Sequence, residues 1–294
     1  MTSAAMALRD RRTLPPFLLL LTPALVLLLV FFAAPLLELL HLSLLSEVPR
    51  SPDLTLAQYA KTLRDPFYLQ MAGNSVLAGL ATTILTLVIG YPVAFYLTRV
   101  SGWERTLVSL ACLLPLFVSV IVGILGWYIL LLPFGIVQQA LSALGLIQGP
   151  LPLLRTFPAL VAVLAYEHIP FAVLILAASL QSIPRAKLDA ATMLGAGAPR
   201  IFRTIVLPLS MPGLSATAIL VFSLSTSSYL TPILIGAQKV PVLPLAIFSY
   251  GTELLNWPFA AALSFVLLVL VAAIAYGVAI LTNVLARRGR WDMV

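Results

Sequence analysis

Few side chains in this chain have the type and spacing to do chemistry. Glu167 and His168 form an adjacent acidic–basic pair inside a long apolar stretch. A zinc-protease helix needs His-Glu, two intervening residues and a second His, whereas the order here is Glu167-His168. Here Ile169 and Pro170 follow, and one other histidine exists, so no such metal site is spelled out. An aspartyl pair inside a membrane is equally unavailable, because Asp10, Asp53, Asp65, Asp189 and Asp292 all fall outside the apolar blocks. No GxSxG elbow occurs to raise a serine nucleophile. Nucleotide phosphates need a glycine-rich turn ending in Gly-Lys and then Ser or Thr. Lys61, Lys187 and Lys239 follow Ala60, Ala186 and Gln238, so this chain binds no ATP in that way. The expectation is a protein that is not an enzyme and carries no metal or cofactor of its own.

The elements that hold these residues are dictated by composition. Of 294 residues, 61% are hydrophobic and 9% charged, and the mean hydropathy is +1.08. So few charges cannot cover a soluble surface, where roughly a quarter of residues carry charge. Single Cys112 allows no internal disulfide. The apolar residues run in blocks long enough for helices that cross a bilayer, which need about 20 residues, rather than in short alternating strands. Six blocks are read: Phe17–Leu42, Asn74–Thr98, Thr106–Leu132, Phe157–Ile183, Pro212–Ile235 and Phe259–Leu285. Prolines 23, 35, 92, 115 and 170 fall within them and are read as kinks that neighbouring helices tolerate. The fold class is therefore an all-α integral membrane protein, a six-span helical bundle forming one domain over residues 1–294. The first block is too long for a signal peptide and is kept as a span.

Lysine and arginine orient the bundle. With the N-terminus inside, the inner segments hold 12 of the 17 basic residues: Arg9, Arg11, Arg12, Arg99, Arg105, Arg185, Lys187, Arg200, Arg203, Arg287, Arg288 and Arg290. The outer segments hold Arg50, Lys61, Arg64, Arg155 and Lys239. By the positive-inside rule both termini are expected to be cytoplasmic. The +7 net charge then reflects topology and not a nucleic-acid surface. The outer loop Pro133–Thr156 contains an apolar stretch, Ile136–Leu146, suited to an interfacial helix. The inner loop 184–211 is longer than a connector needs. Leu188–Leu194 and Ala198–Val206 fit two short helices around a stop at Gly195 or Gly197. Ala190, Ala191 and Gly195 leave room for close approach by another protein, and Arg200 and Arg203 share a face. On these grounds alone the loop fits either a docking element or an amphipathic segment lying on the inner leaflet.

The spacing Asp189-Ala190-Ala191, three residues, Gly195, nine residues, Ile205-x-Leu207-Pro208 resembles the EAA loop of binding-protein-dependent ABC importer permeases. The leading Glu of that motif is Asp here. The stretch YLTPILIG at 229–236 and ELLNWP at 253–258 look like the spermidine/putrescine-type permeases of the same family. The resemblance implies a type I importer permease fold, with Asp189, Ala190, Ala191, Gly195, Arg200, Ile205, Leu207 and Pro208 serving the coupling loop. It also implies a cytoplasmic ATP-binding subunit that carries the ATP, a second permease chain (copy or paralogue), and an extracytoplasmic solute-binding protein. The location implied is the bacterial inner membrane. A secondary transporter would explain six spans without a partner but not the loop.

Candidate pathway residues come from the polar groups within the spans. Glu167 lies about ten residues into its helix, roughly 15 Å deep at 1.5 Å per residue, where a carboxylate is most costly. Its own helix supplies no charged partner at 163, 164, 170 or 171. Compensation must come from water, from a group on another helix, or from a cationic solute such as a polyamine. Tyr166 and His168 are its neighbours, and Ser225, Ser228 and Tyr229 belong to a hydroxyl-rich stretch that either lines a pathway or glues helices together. Glu38 and His41 read as interfacial.

Overall fold

The computed structural model describes residues 16–46, 53–147, 149, 151–235 and 240–291, with side chains described from 21 to 282. Arg9, Arg11, Arg12, Arg50 and Lys239, which enter the basic-residue count, lie outside the described residues, as does the Gly236 end of the 229–236 stretch. The helices in order are α1 (Pro16–Leu28), α2 (Ala34–Ser43), α3 (Ala57–Arg64), α4 (Pro66–Leu97), α5 (Gly102–Phe117), α6 (Val120–Leu130), α7 (Ile136–Ala143), α8 (Phe157–Gln181), α9 (Arg185–Met193), α10 (Ala198–Ile201), α11 (Leu207–Thr226), α12 (Leu230–Ile235), α13 (Leu243–Phe248) and α14 (Trp257–Trp291). Wide π-turns at Leu29–Ala33, Phe202–Val206 and Ser249–Glu253 join neighbouring helices. Among the described residues no strand forms beyond one antiparallel bridge, Leu45–Leu54.

Five apolar helices are long enough to cross a membrane, and a sixth crossing arises if α5 and α6 count as one bent span. That bend is the main departure from the expected bundle. Instead of one helix over Thr106–Leu132, α5 and α6 meet at 102°. Pro115 lacks the amide that would bond back one turn, and Val118 and Ser119 adopt extended backbone. The proline thus precedes a break, not a mild kink. The fifth block is also shifted. A single 29-residue helix runs Ala198–Thr226, so Pro212 lies within it and does not begin it. It stops at Thr226, and the chain resumes as α12 at Leu230. Restarting at Leu230 puts Pro232 in a first turn, where the missing amide costs nothing. The second span begins at Pro66, earlier than Asn74, capped by Asp65, whose Oδ1 accepts from the Phe67 amide at 2.9 Å. Pro35 cannot donate to the Phe31 carbonyl, and the π-turn at Leu29–Ala33 absorbs the mismatch.

The core is a three-helix contact of α4, α8 and α11. Ala94, Ala172, Val173, Leu176 and Val221 bury together there with Leu97 and Val206. The backbones approach closely through small residues. A Cβ at Gly213 would collide with the Ser179 side chain, so only glycine fits that crossing. At the end opposite α9 the chain is tied by side chains to backbone: Asn74 Nδ2 donates to the Pro241 carbonyl at 2.9 Å, and the Leu243 amide donates to Ser75 Oγ at 2.8 Å. By contrast, the described side chains of α1, from residue 21 on, and of the following π-turn contribute no buried residue, and Val26, Leu27, Phe31 and Phe32 are exposed. Span one meets the bundle through α2 against α14.

Candidate functional site

The first candidate site is the segment joining α8 to α11. Ile183 and Pro184 end the span, and α9 follows as a separate amphipathic helix. Leu188 packs on the core beside Ile201 and Phe202, while Asp189 and Ala190 are exposed and Ala191 is half-buried. The helix closes on a left-handed Gly195 (φ +80°), with the Gly195 amide donating to Thr192 (2.9 Å) and the Ala196 amide to Ala191 (3.0 Å). This pairing satisfies the last carbonyls, and the positive φ explains glycine there. Gly197 has an ordinary φ of −69°, so of the two expected stops Gly195 is the one that turns the chain. Met193 and Leu194 project beyond the turn at 90% and 88% exposure, a pair of apolar side chains with no cover from this chain.

The remaining residues of the motif lie elsewhere. Ala198–Val206 does not form a free-standing loop helix but the end of the 29-residue helix of span five. Arg200 and Arg203 are exposed on it, while Ile205, Leu207 and Pro208 are half-buried. That end is anchored to α4: Phe202 packs edge-to-face on Tyr91 (5.9 Å) and Phe95 (6.0 Å), and the Tyr91 and Ser210 hydroxyls are 2.8 Å apart.

The second candidate site surrounds Glu167, the eleventh residue of α8. Thr231 Oγ1 donates to Glu167 Oε1 at 2.8 Å, and Ser228 Oγ donates to Thr231 Oγ1 at 3.4 Å. Thr231 is wholly buried. Both residues follow the helix break after Thr226, and Thr231, on α12, is the one whose hydroxyl reaches α8. Next to them α6, the far half of the bent span, packs on α8 and α12 through Ile124, Val163 and Ile235. Glu167 therefore lies where the two interrupted spans converge on the most enclosed helix of the bundle. No Lys or Arg pairs with it among the described residues.

The other expected neighbours divide. Tyr166 packs edge-to-face on Trp127 of α6 at 5.7 Å. His168 is buried and turns its Nδ1 onto the Leu164 carbonyl of its own helix, away from the acid's partners. Ser225 Oγ is buried without a hydrogen-bond partner, as are Thr82, Thr86 and Thr226 Oγ1. Tyr229 is 42% exposed and stacks on Phe248, 5.1 Å apart with an interplanar angle of 15°. Sequence reading had no means of pairing Thr231 with Glu167, since 64 residues separate them. Among the described residues there is no group of three or more His, Cys, Asp or Glu able to hold a metal ion.

With this geometry in hand, comparison with known proteins is informative. Residues 86–290 match the family described as binding-protein-dependent transport system inner membrane component. The chain is 31% identical over 223 residues to the spermidine/putrescine transport system permease protein PotB of Haemophilus influenzae, covering 76% of this chain and 78% of that one. It is 32% identical over 238 residues to the inner membrane ABC transporter permease protein YdcU of Escherichia coli K12, covering 76% and 74%. Its fold matches a chain of the bacterial alginate ABC transporter solved in complex with an alginate pentasaccharide-bound periplasmic protein. That match has a TM-score of 0.70 at 18% identity, over 93% and 94% of the two chains. The expected family and all-α permease fold are borne out, and the secondary-transporter alternative gives way. This chain belongs to the binding-protein-dependent inner membrane components, as an ABC importer permease resembling the PotB type.

Proposed function

We propose that this permease moves a polyamine or a similar small cation inward across the bacterial inner membrane. A separate cytoplasmic ATPase drives it, and ATP binds on that subunit. A second permease chain completes the pathway and an extracytoplasmic binding protein delivers solute. The ATPase docks on α9 and its Gly195 turn, through the exposed face that carries Asp189 and Ala190 with Met193 and Leu194 beside it. Arg200 offers a charge at the rim of that surface, and Ala191, Ile205, Leu207 and Pro208 mount it on the bundle. Both termini are then cytoplasmic, and α7 lies on the outer side.

The observation that carries the solute class is Glu167: a carboxylate deep in the bundle, held by the neutral hydroxyl of Thr231, at the meeting point of two interrupted spans. Interrupted helices inside a membrane are tolerated where they are covered by protein or face a water-filled passage, and a carboxylate there favours a cation. Tyr166, Ser228 and Tyr229 are the next residues along that passage, with Ser225 and His168 behind them. Similarity to the spermidine/putrescine permease of H. influenzae points the same way. The experiment is uptake of labelled spermidine by cells carrying Glu167→Gln. The amide keeps shape and one acceptor but loses the charge, so uptake falls more than tenfold while the complex still co-purifies. Unchanged uptake in that variant would leave Glu167 a helix-to-helix hydrogen-bonding residue and remove the basis for a cationic solute.

A further inference from the structure

A cationic contact lies at the end of the bundle opposite α9. Lys61 stands on α3, and its Nζ lies 4.5 Å from the centroid of the Phe259 ring. Phe259 has no exposed surface. Tyr68 packs against it at 5.1 Å with an interplanar angle of 75°, and Tyr250 at 4.7 Å with 86°. The two phenol oxygens are 2.7 Å apart, which fixes the tyrosines to each other. The three rings come from α4, from the π-turn Ser249–Glu253 and from α14, so the cluster is built by long-range folding and not by one helix.

What holds Lys61 there is unusual for a lysine. The residue is exposed on α3, and among the described residues no carboxylate lies within ion-pairing distance of it. Asp65, one turn on, has its carboxylate on the Phe67 amide. The ammonium is therefore placed by the ring face and by its own methylene stem, and any primary alkylammonium brings both. A ring face attracts such a group electrostatically. A compact, strongly hydrated ammonium on a flexible stem also exchanges readily.

We propose that Phe259, flanked by Tyr68 and Tyr250, is a seat for a primary alkylammonium group on the outer side of the permease, and that Lys61 occupies it as the chain's own surrogate. Two sources carry that chemistry: a soluble amine and the headgroup of an aminophospholipid. The seat is defined by the rings and the lysine, so it does not depend on which solute crosses the membrane, and uptake is not its readout.

The test uses the full chain in dodecyl maltoside micelles, which contribute neither charge nor amine, with butylammonium as probe and saturation-transfer NMR as the measurement. Lys61→Ala vacates the seat from an exposed position and binds butylammonium roughly fivefold more tightly than the parent chain, the factor set by losing a competing cation–π contact of ordinary strength. Lys61→Arg keeps a cation on the ring and behaves like the parent. Lys61→Ala combined with Phe259→Leu loses the signal. Adding phosphatidylethanolamine but not phosphatidylglycerol displaces the probe from Lys61→Ala if the occupant is a lipid headgroup. If neither lipid competes, the occupant is a soluble amine. Equal binding by the parent, Lys61→Ala and Lys61→Arg chains, or no saturable binding to Lys61→Ala, overturns the proposal.

Discussion

Replacing Thr231 by valine removes one hydroxyl and leaves the volume almost unchanged, so it isolates the hydrogen bond that Glu167 receives. The bond is 2.8 Å long and its donor is fully buried, so water does not substitute for it. A hydrogen bond to a carboxylate in such surroundings is worth about 1.5–3 kcal/mol, and leaving its acceptor unsatisfied costs a similar amount. Thr231→Val is therefore expected to lower the unfolding free energy of the detergent-solubilised chain by about 2 kcal/mol, close to a thirtyfold change in the folding equilibrium. Thr231→Ser, which keeps the donor, stays near the parent. The decisive assay is the double-mutant cycle with Glu167→Ala, which removes the acceptor altogether, read by graded SDS unfolding. If the two side chains act through one bond, the double variant loses about 1–2 kcal/mol less than the sum of the single variants. Strict additivity would refute the pairing.

Two further outcomes bear on the coupling segment and the orientation. Gly195→Leu has open space around the new side chain but forces a branched residue into a left-handed conformation at a cost of about 1–2 kcal/mol. Its abundance in the membrane is expected to stay near normal while ATPase co-purification and uptake collapse, whereas Gly195→Asn, which tolerates that φ, retains both; intact association in Gly195→Leu argues for a segment that merely lies on the lipid. In a Cys112→Ala background, a cysteine at Asp53 labels with an impermeant maleimide on intact cells, and one at Arg200 labels only after permeabilisation; the reverse pattern inverts the bundle and removes α9 from the cytoplasm.

Much of the architecture is readable because bilayer physics is severe. Long apolar blocks, sparse charge and a glycine after an amphipathic turn name the spans and the end of α9 with little ambiguity. The errors share one cause: continuity of hydropathy does not report continuity of backbone. Thr106–Leu132 is apolar throughout, yet Val118 and Ser119 leave the helical region. The start of span five was hidden in the opposite way, since Arg200 and Arg203 look like loop residues although the helix already includes them. Pairings across the bundle left no periodic trace. Glu167 with Thr231 and Lys61 with Phe259 are set by how helices cross, and neither residue type nor spacing encodes that.

The unbroken run from Ala198 to Thr226 has a mechanical consequence. Its 29 residues make a rod about 43 Å long at 1.5 Å per residue. One end adjoins α9; the other stops one short turn before Thr231. If the α9 end is held and the rod tilts by roughly 5°, its far tip travels about 4 Å, a distance that follows from the rod's length alone. That travel exceeds the 2.8 Å reach of the Thr231–Glu167 bond. A displacement too small to unpack α4 from α11 at the Tyr91–Ser210 end is thus magnified, by leverage alone, into one large enough to make or release the grip on the buried acid.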